Sequence, residues 1–303
     1  MASATGKRFP FVPLAVALAA TGSLAALLTQ FYRRPLETMN TLTHVGLLLA
    51  GVREETIVTH GLPIRYYCAG RRGSPMILIH GLGGSAENWA TLILLLSEAY
   101  LVYAPDLPGF RKTPLAPEGV TISTHTLYME RFLDALGYPR VTLVGNSFGG
   151  WIATRFAVAH PERVDHLYLL NSAGLQREGA HSPYTPDRKA AHRAAKEVWG
   201  YPFPVPRFVL DAMIRNSQQP AYAGFIKGYD PAEELDDVLS QIRVPTTIIW
   251  GEDDRLLPIT CAHDFHAGIP NSELLLLPGV GHTPQIQATA TVARIIFKAS
   301  RDR

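Results

Sequence analysis

Hydrophobic residues from about position 55 onwards form short runs that are separated by longer amphipathic segments. Eight of these runs have the length and composition of strands. They lie at Glu55–His60, Pro63–Cys68, Met76–Ile79, Leu101–Ala104, Val141–Val144, Val164–Leu170, Thr246–Trp250 and Glu273–Leu277. Runs that are wholly apolar are typical of strands buried on both faces of a parallel sheet. The turn His60-Gly61-Leu62 between the first two runs indicates a hairpin.

Segments with helical periodicity lie between most of these strands. They are Trp89–Ala99, Ile122–Leu136, Ser147–Ala159, Ala262–Ala267 and a closing stretch from about Gln285 to Ser300. Strands that alternate with helices at this spacing form βαβ units. The pattern therefore predicts an α/β fold with a mostly parallel eight-stranded sheet, flanked by helices and beginning with a hairpin.

One long interval, of about 75 residues, separates the sixth strand from the seventh. It contains a charged helical run at Asp187–Trp199, a proline-rich stretch and a second helix near Phe208–Arg215. An insertion of this length in a compact domain is usually functional. We therefore predict a helical lid over residues 175–240, inserted into a core formed by 55–174 and 241–303. The alternative is a helical excursion that only stabilises the fold.

The N-terminal region differs from the rest, with an uncharged stretch of 24 residues from Phe9 to Tyr32. About 20 apolar residues are enough to cross the hydrocarbon core of a bilayer as a helix. We therefore predict that residues 1–34 are a single membrane anchor, followed by an amphipathic connector over 35–54. The alternative is a signal peptide cleaved near Ala17-Leu18-Ala19, which would give a secreted or periplasmic protein.

Composition narrows the range of partners. The chain has 28 basic and 26 acidic residues and no long block of one charge, so nucleic acid is not an expected partner. The charged fraction of 18% is low, which fits a membrane segment or an apolar pocket. Cys68 and Cys261 are far apart and are predicted to be separate thiols. No clustered Cys/His pattern is present, so no metal site is expected.

The segment from Val141 to Gly150 carries the strongest chemical pattern of the chain. A buried strand is followed by Gly145-Asn-Ser147-Phe-Gly149 and then by an apolar helix. Such a sharp strand-to-helix turn needs small residues two positions before and after the serine, because side chains do not fit there. The turn places the serine at a helix N-terminus, where backbone N–H groups stabilise negative charge. We predict Ser147 as a nucleophile.

With this turn, the chain resembles the α/β-hydrolase superfamily from about residue 55 to its C-terminus. Further motifs that carry the resemblance are His80-Gly-Leu-Gly83, Asp106-Leu-Pro-Gly-Phe110, Trp250-Gly-Glu-Asp-Asp254 and Gly279-Val-Gly-His282. The resemblance implies the α/β-hydrolase fold and a serine hydrolase without a cofactor. The apolar N-terminus, Asn171-Ser-Ala-Gly-Leu175 and the long insertion are similar to the membrane-anchored monoacylglycerol-lipase-like group, typified by ABHD-type lipases and bacterial lipase-3 enzymes.

A serine hydroxyl needs a neighbouring base to remove its proton. Of the eleven histidines, His282 follows the last strand and therefore emerges at the same sheet edge as Ser147. The resemblance implies Asp254 as the acid that orients this histidine, with Asp253 as the alternative. The other acid position used in some relatives, after the sixth strand, holds Asn171, which is not a carboxylate. The order Ser, Asp, His along the chain matches the superfamily.

The resemblance also implies an oxyanion hole formed by the backbone N–H groups of Phe148 and Leu82, with Gly83 as the alternative to Leu82. His80 is expected to have a structural role beneath this loop. Arg111 follows the Asp-x-Pro-Gly-Phe motif, where relatives commonly continue with glycine. We expect Arg111 to point into solvent; the alternative is a contact with a substrate carboxylate or a lipid headgroup.

These features predict an enzyme that cleaves carboxylic esters with apolar acyl chains, such as monoacylglycerols. The aromatic residues of the insertion favour apolar chains, or else only pack the insertion on the core: Trp199, Tyr201, Phe203, Phe208, Tyr222 and Phe225. One alternative is a C–C bond hydrolase that acts on ring-cleavage products. Enzymes of that group have a similar elbow but commonly carry Trp after the catalytic histidine, where this chain has Thr283. The other alternative is a non-catalytic binding protein. The expected partners are an ester or lipid substrate and a membrane.

Overall fold

All eight predicted runs form strands of a single sheet in the computed structural model, which describes residues 25–301. The strands are β1 (Arg53–Thr59), β2 (Leu62–Ala69), β3 (Pro75–Ile79), β4 (Leu101–Pro105), β5 (Val141–Asn146), β6 (Val164–Leu170), β7 (Thr246–Gly251) and β8 (Ser272–Leu277). Their order across the sheet is β1-β2-β4-β3-β5-β6-β7-β8. Strand β2 is antiparallel to β1 and β4, and all pairs from β4 to β8 are parallel. The predicted sheet is confirmed.

The leading hairpin turns at two residues that both have positive φ. His60 has φ 49° and Gly61 has φ 84°, and Thr59 pairs directly with Leu62. A two-residue turn of this kind matches the right-handed twist of the strands that it joins. The predicted hairpin is confirmed, although β1 begins two residues earlier than expected.

Eleven helices are described in residues 25–301. They are α1 (25–33), α2 (Pro35–Leu49), α3 (Ala90–Leu96), α4 (Ile122–Leu136), α5 (Phe148–Ala159), α6 (Arg188–Trp199), α7 (Arg207–Ser217), α8 (Pro220–Lys227), α9 (Ile259–Gly268), α10 (Pro284–Gln287) and α11 (Thr289–Arg301). Side chains of β3 alternate between two cores. Ile77 and Ile79 face the core under α4, α5 and α9, whereas Met76 and Leu78 face the core under α3 and α11.

Two predicted helices differ in detail. The expected helix Trp89–Ala99 is a 3₁₀ turn at Ala86–Trp89 followed by the short α3. The expected closing helix is split into α10 and α11, because Ala288 leaves the helical region with φ −135°. The hydroxyl of Thr289 donates to the Gln285 carbonyl across this break.

The interval between β6 and β7 contains α6, α7 and α8 and two 3₁₀ turns, Pro231–Glu233 and Leu239–Gln241. We call residues 175–240 the helical insert. Asp187 caps α6 by accepting a hydrogen bond from the Ala190 N–H at 2.8 Å, and Gly200 ends this helix with φ 80°. Helix α8 was not predicted, because it has only two turns and contains Gly224.

Helix α2 occupies most of the predicted connector. Its exposed side has an apolar stripe at helical spacing, formed by Leu36, Met39, Leu42, Val45 and Leu49. Most of the predicted anchor Phe9–Tyr32 lies outside the described residues. Within residues 25–301, no helix combines the length and apolar character needed to cross a bilayer.

A buried arginine supports the loops at the carboxyl edge of the sheet. Arg65 on β2 is 3% exposed and donates to Asp106 at 3.0 Å, to Glu87 at 2.9 Å and to Glu54 at 3.1 Å. Asp106 in turn accepts from the Ala86 N–H at 2.9 Å. Arg65 therefore connects the central sheet to the segment after β3.

We expect Arg65→Ala to destabilise the fold by about 3–5 kcal/mol, because it leaves buried carboxylates without their cation. Urea unfolding measures this difference. Arg140→Ala is the matched control. The Arg140 side chain is 53% exposed and pairs with Asp165 and the Val164 carbonyl at the surface, so a loss below about 1 kcal/mol is expected. Equal losses for the two variants would contradict a special role for Arg65.

Candidate active site

Ser147 lies at the turn between β5 and α5 and has φ 54°. A Cβ atom at Gly145 would lie 2.4 Å from the Gly149 carbonyl oxygen, and one at Gly149 would lie 2.1 Å from the Ile79 carbonyl oxygen. The strand, the helix and β3 therefore approach so closely that only glycine fits at both positions. The tight turn places Ser147 at the carboxyl edge of the sheet and at the N-terminus of α5.

His282 and Asp254 meet at the same edge. The Nδ1 of His282 lies 2.7 Å from Asp254 Oδ2, and both side chains are buried. The other oxygen of Asp254 accepts from the backbone N–H groups of Leu256 at 2.8 Å and Leu257 at 3.0 Å. A carboxylate in this position accepts the Nδ1 proton, which leaves Nε2 of the imidazole free to act as a base. Asp253, the alternative acid, is exposed.

Asn171 has a role that the sequence did not reveal. Its Nδ2 donates to Asp254 Oδ2 at 2.6 Å, the same oxygen that His282 contacts. Its Oδ1 accepts from the Gly251 N–H at 2.9 Å. From the sequence, Asn171 indicates only that the second acid position lacks a carboxylate and that the motif Asn171-Ser-Ala-Gly-Leu175 is present. Asn171 directly follows β6, and Asp254 follows the neighbouring parallel strand β7, so both side chains lie at the same edge of the sheet. This placement is the one indication in the sequence that Asn171 contacts Asp254.

The loop from His80 to Gly84 lies against Ser147, since a Cβ atom at Gly81 would be 3.3 Å from the Ser147 Cβ. His80 supports the loop from below: its Nε2 accepts from the Leu107 N–H at 3.0 Å, and its Nδ1 donates to the Gly81 carbonyl at 2.8 Å. Burial lowers the pKa of His80 to about 4, so the ring is neutral at pH 7. The oxyanion role of the Leu82 and Phe148 N–H groups stays a prediction.

Two cavities meet at Ser147. The apolar cavity, of about 290 Å³, is lined by Leu82, Phe148, Trp151, Leu175, Phe225 and Leu257 among others. The second cavity, of about 210 Å³, also has apolar walls, including Val198, Met213 and Leu256. More of its lining residues carry hydrogen-bonding side chains, including His282, Asn88, Thr185, Asn216, Ser217 and Thr283, and for these we call it the polar cavity. Ser147 borders both cavities, whereas His282 borders only the polar one.

Of the six aromatic residues predicted to favour apolar chains, two reach these cavities, and Tyr229 of the insert, which was not among the six, also lines the apolar cavity. Phe225 lines the apolar cavity and Tyr222 lines the polar one. Trp199, Tyr201 and Phe203 pack on one another. Phe208 instead packs against Phe31 and Tyr32 of α1. The ring contacts of these four residues are therefore within the insert or with α1, and none of the four lines either cavity.

Arg111 does not point freely into solvent, which corrects the expectation. Its side chain is 22% exposed, and its Nε lies 3.7 Å from the buried Glu87 Oε1, whose negative charge attracts the guanidinium. Cys68 and Cys261 are buried free thiols, as predicted. In the part of the chain that the structure describes, no three His, Cys, Asp or Glu side chains are placed to hold a metal ion.

Comparison with known proteins gives a consistent family. Residues 74–220 match a family model described as alpha/beta hydrolase fold. A 2-hydroxy-6-oxo-6-(2'-aminophenyl)hexa-2,4-dienoic acid hydrolase from Metapseudomonas resinovorans is 30% identical over 82% of this chain and 93% of its own length. A 2-hydroxy-6-oxo-2,4-heptadienoate hydrolase from Pseudomonas putida is 31% identical, over 76% and 91%. Lipase 1 of Psychrobacter immobilis is 26% identical, over 76% and 79%.

A solved structure with a similar fold is that of a membrane phospholipase A described as a bacterial virulence factor. It superposes with a TM-score of 0.78, covers 97% of this chain and 100% of its own, and is 24% identical. At this identity the likeness concerns the fold.

Replacing Asn171 tests its positioning of the acid. We expect Asn171→Ala to lower kcat for an ester about tenfold or more at nearly unchanged KM, because the Asp254 carboxylate loses a donor worth about 1.5–3 kcal/mol. Asn171 has φ 41°, so Asn171→Gly is the control that removes backbone strain, and it should be as slow as Ala. A kcat within twofold of wild type in both variants would contradict the role.

The buried His80 predicts a pH dependence of stability. Its pKa in the folded protein, about 4, lies below the ordinary value of 6.5, so the unfolded chain binds the proton first. The free energy of unfolding therefore falls as the pH drops from about 6.5 towards 4. Between pH 7 and 5, wild type should lose about 2 kcal/mol more than His80→Gln in urea unfolding. Parallel pH profiles of the two proteins would refute this.

Proposed function

The chain belongs to the alpha/beta hydrolase fold family, and from this premise we propose that it cleaves carboxylic esters with apolar acyl chains through an acyl-enzyme. The observation that carries the proposal is the apolar cavity that opens directly on Ser147. Ser147, His282 and Asp254 provide the nucleophile, the base and the orienting acid.

The proposed reaction assigns one step to each of these groups. His282 Nε2 takes the proton of Ser147 Oγ as the oxygen attacks the ester carbonyl, and the N–H groups of Leu82 and Phe148 stabilise the resulting oxyanion. The imidazolium, balanced by Asp254, then gives its proton to the leaving alcohol oxygen, and the acyl group stays on Ser147. Water repeats the same steps, releases the acid and restores the serine.

The two cavities assign the two parts of the ester. His282 must protonate the leaving oxygen and lines only the polar cavity, so the alcohol part lies there. The acyl chain then occupies the apolar cavity, where burial of each methylene contributes about 0.8 kcal/mol. A monoacylglycerol, with an apolar chain and a hydroxylated alcohol, fits this division. The helical insert, which walls both cavities, is proposed as a lid.

Cleavage of C–C bonds in ring-cleavage products is the second candidate, favoured by the two dienoate hydrolases at 30 and 31% identity. A dienoate is an anion. Among the described residues that line the two cavities, none is Lys or Arg, and the apolar cavity contains Glu234. A carboxylate would therefore lack a cationic partner beside Ser147, which favours the ester.

We also propose that the N-terminal segment attaches the protein to a membrane. The uncharged run Phe9–Tyr32 supports this, as does the exposed apolar stripe of α2, which immediately follows it. An amphipathic helix beside an anchor would lie at the level of the lipid headgroups. Fractionation of the full chain into membranes, compared with a chain that begins after residue 34, tests the attachment.

The enzymatic proposal predicts labelling of the wild-type protein by a fluorophosphonate probe and no labelling of Ser147→Ala. With p-nitrophenyl esters, kcat/KM should rise about fourfold for each added methylene until the apolar cavity is filled. A preference limited to acetate would contradict the apolar acyl chain. Cleavage of a dienoate without cleavage of esters would establish the second candidate, and absence of labelling would favour a binding protein.

A further inference from the structure

A third cavity, of about 450 Å³, lies beside the polar cavity and shares no described lining residue with the apolar cavity. Three arginines line it, Arg34 before α2, Arg111 after the fourth strand and Arg215 on α7, and we call it the arginine groove. Gly84 and Asn216 line both the polar cavity and this groove. Asn216 Nδ2 donates to the Gly83 carbonyl at 3.0 Å, so this contact forms part of the wall between them.

The charges of the groove are not balanced within it. Among the described residues that line the groove, Glu37 is the one carboxylate, and it pairs with Arg34 at 2.9 Å. The Arg111 Nε lies 3.7 Å from Glu87 Oε1. Arg65 already binds this oxygen at 2.9 Å.

Arg215 donates to the backbone carbonyl of Arg33 at 3.1 Å, and no salt bridge within residues 25–301 joins it to a carboxylate. Asp211, one turn earlier on α7, is bound by Arg188 at 2.6 and 2.8 Å. Arg111 and Arg215 therefore both line the groove, and within residues 25–301 neither makes a salt bridge shorter than 3.7 Å to a carboxylate. Guanidinium groups bind phosphate oxygens in a forked geometry that a single ammonium group does not provide.

The three cavities lie in the same order as the acyl, alcohol and phosphate groups of one class of ester. The apolar cavity takes the acyl chain, Ser147 takes the ester carbonyl, the polar cavity takes the alcohol, and the arginine groove follows next. From this order we infer that the substrate is an acyl ester of glycerol phosphate, with its phosphate bound by Arg111 and Arg215. This inference rests on the proposed ester hydrolysis and specifies the alcohol part of the substrate.

Two soluble esters with the same acyl group test the inference without a membrane surface: 1-butyrylglycerol, which is neutral, and 1-butyrylglycerol 3-phosphate. We expect Arg111→Gln and Arg215→Gln each to lower kcat/KM for the phosphate ester about tenfold, mainly through KM, because a charged hydrogen bond is lost. The value for the neutral ester should stay within twofold. Arg215→Glu should lower activity on the phosphate ester further.

Arg140→Gln is the control, because Arg140 precedes β5 and lies at the sheet edge opposite Ser147; it should leave both esters unchanged. Equal losses on the two esters, or no loss on the phosphate ester, would overturn the inference. Failure of wild type to cleave either ester would instead refute the proposed function. Glycerol 3-phosphate should inhibit cleavage of the neutral ester competitively. Equal inhibition by inorganic phosphate would show a free-phosphate site and overturn the link to the alcohol part.

Discussion

The geometry of the site depends on one close contact, between the last turn of β5 and the first turn of α5. Ser147 can hold φ 54° only because Gly145 and Gly149 let the strand, the helix and the carbonyl of Ile79 come together without side chains. A positive φ at a non-glycine residue is unfavourable and persists where surrounding structure enforces it. The enforcement here comes from the buried parallel strands on both sides of β5.

The remaining parts of the site are held by buried polar groups that belong to the loops after the strands. Asn171 after β6 and the backbone after β7 fix the two oxygens of Asp254. His80 and the Arg65–Asp106 pair fix the loop after β3. Each of these groups is fully or nearly fully buried, and burial makes an unpaired polar atom costly. The loops at the sheet edge therefore have little freedom to move apart.

The strands and the nucleophile were predictable from the sequence, because periodicity and motifs reflect local structural constraints. The strands were found because buried parallel strands are continuously apolar, and Ser147 was found because its turn requires glycines at fixed positions. The role of Asn171 and the partner of Arg111 depend on which loops meet in three dimensions, and a single sequence does not encode that by spacing. Helix α8 and the break at Ala288 were missed because short helices have too few residues for a periodic pattern.

The hydrogen bond from Asn216 to the Gly83 carbonyl joins the helical insert to the loop that carries Leu82. Any swing of α7 away from the core must break this bond before it widens the path to Ser147. The loop would then lose its tether on the side of the insert at the moment when the cavities are open to water. If the insert opens as the proposed lid, this one hydrogen bond couples the admission of a ligand to the position of the loop that carries Leu82.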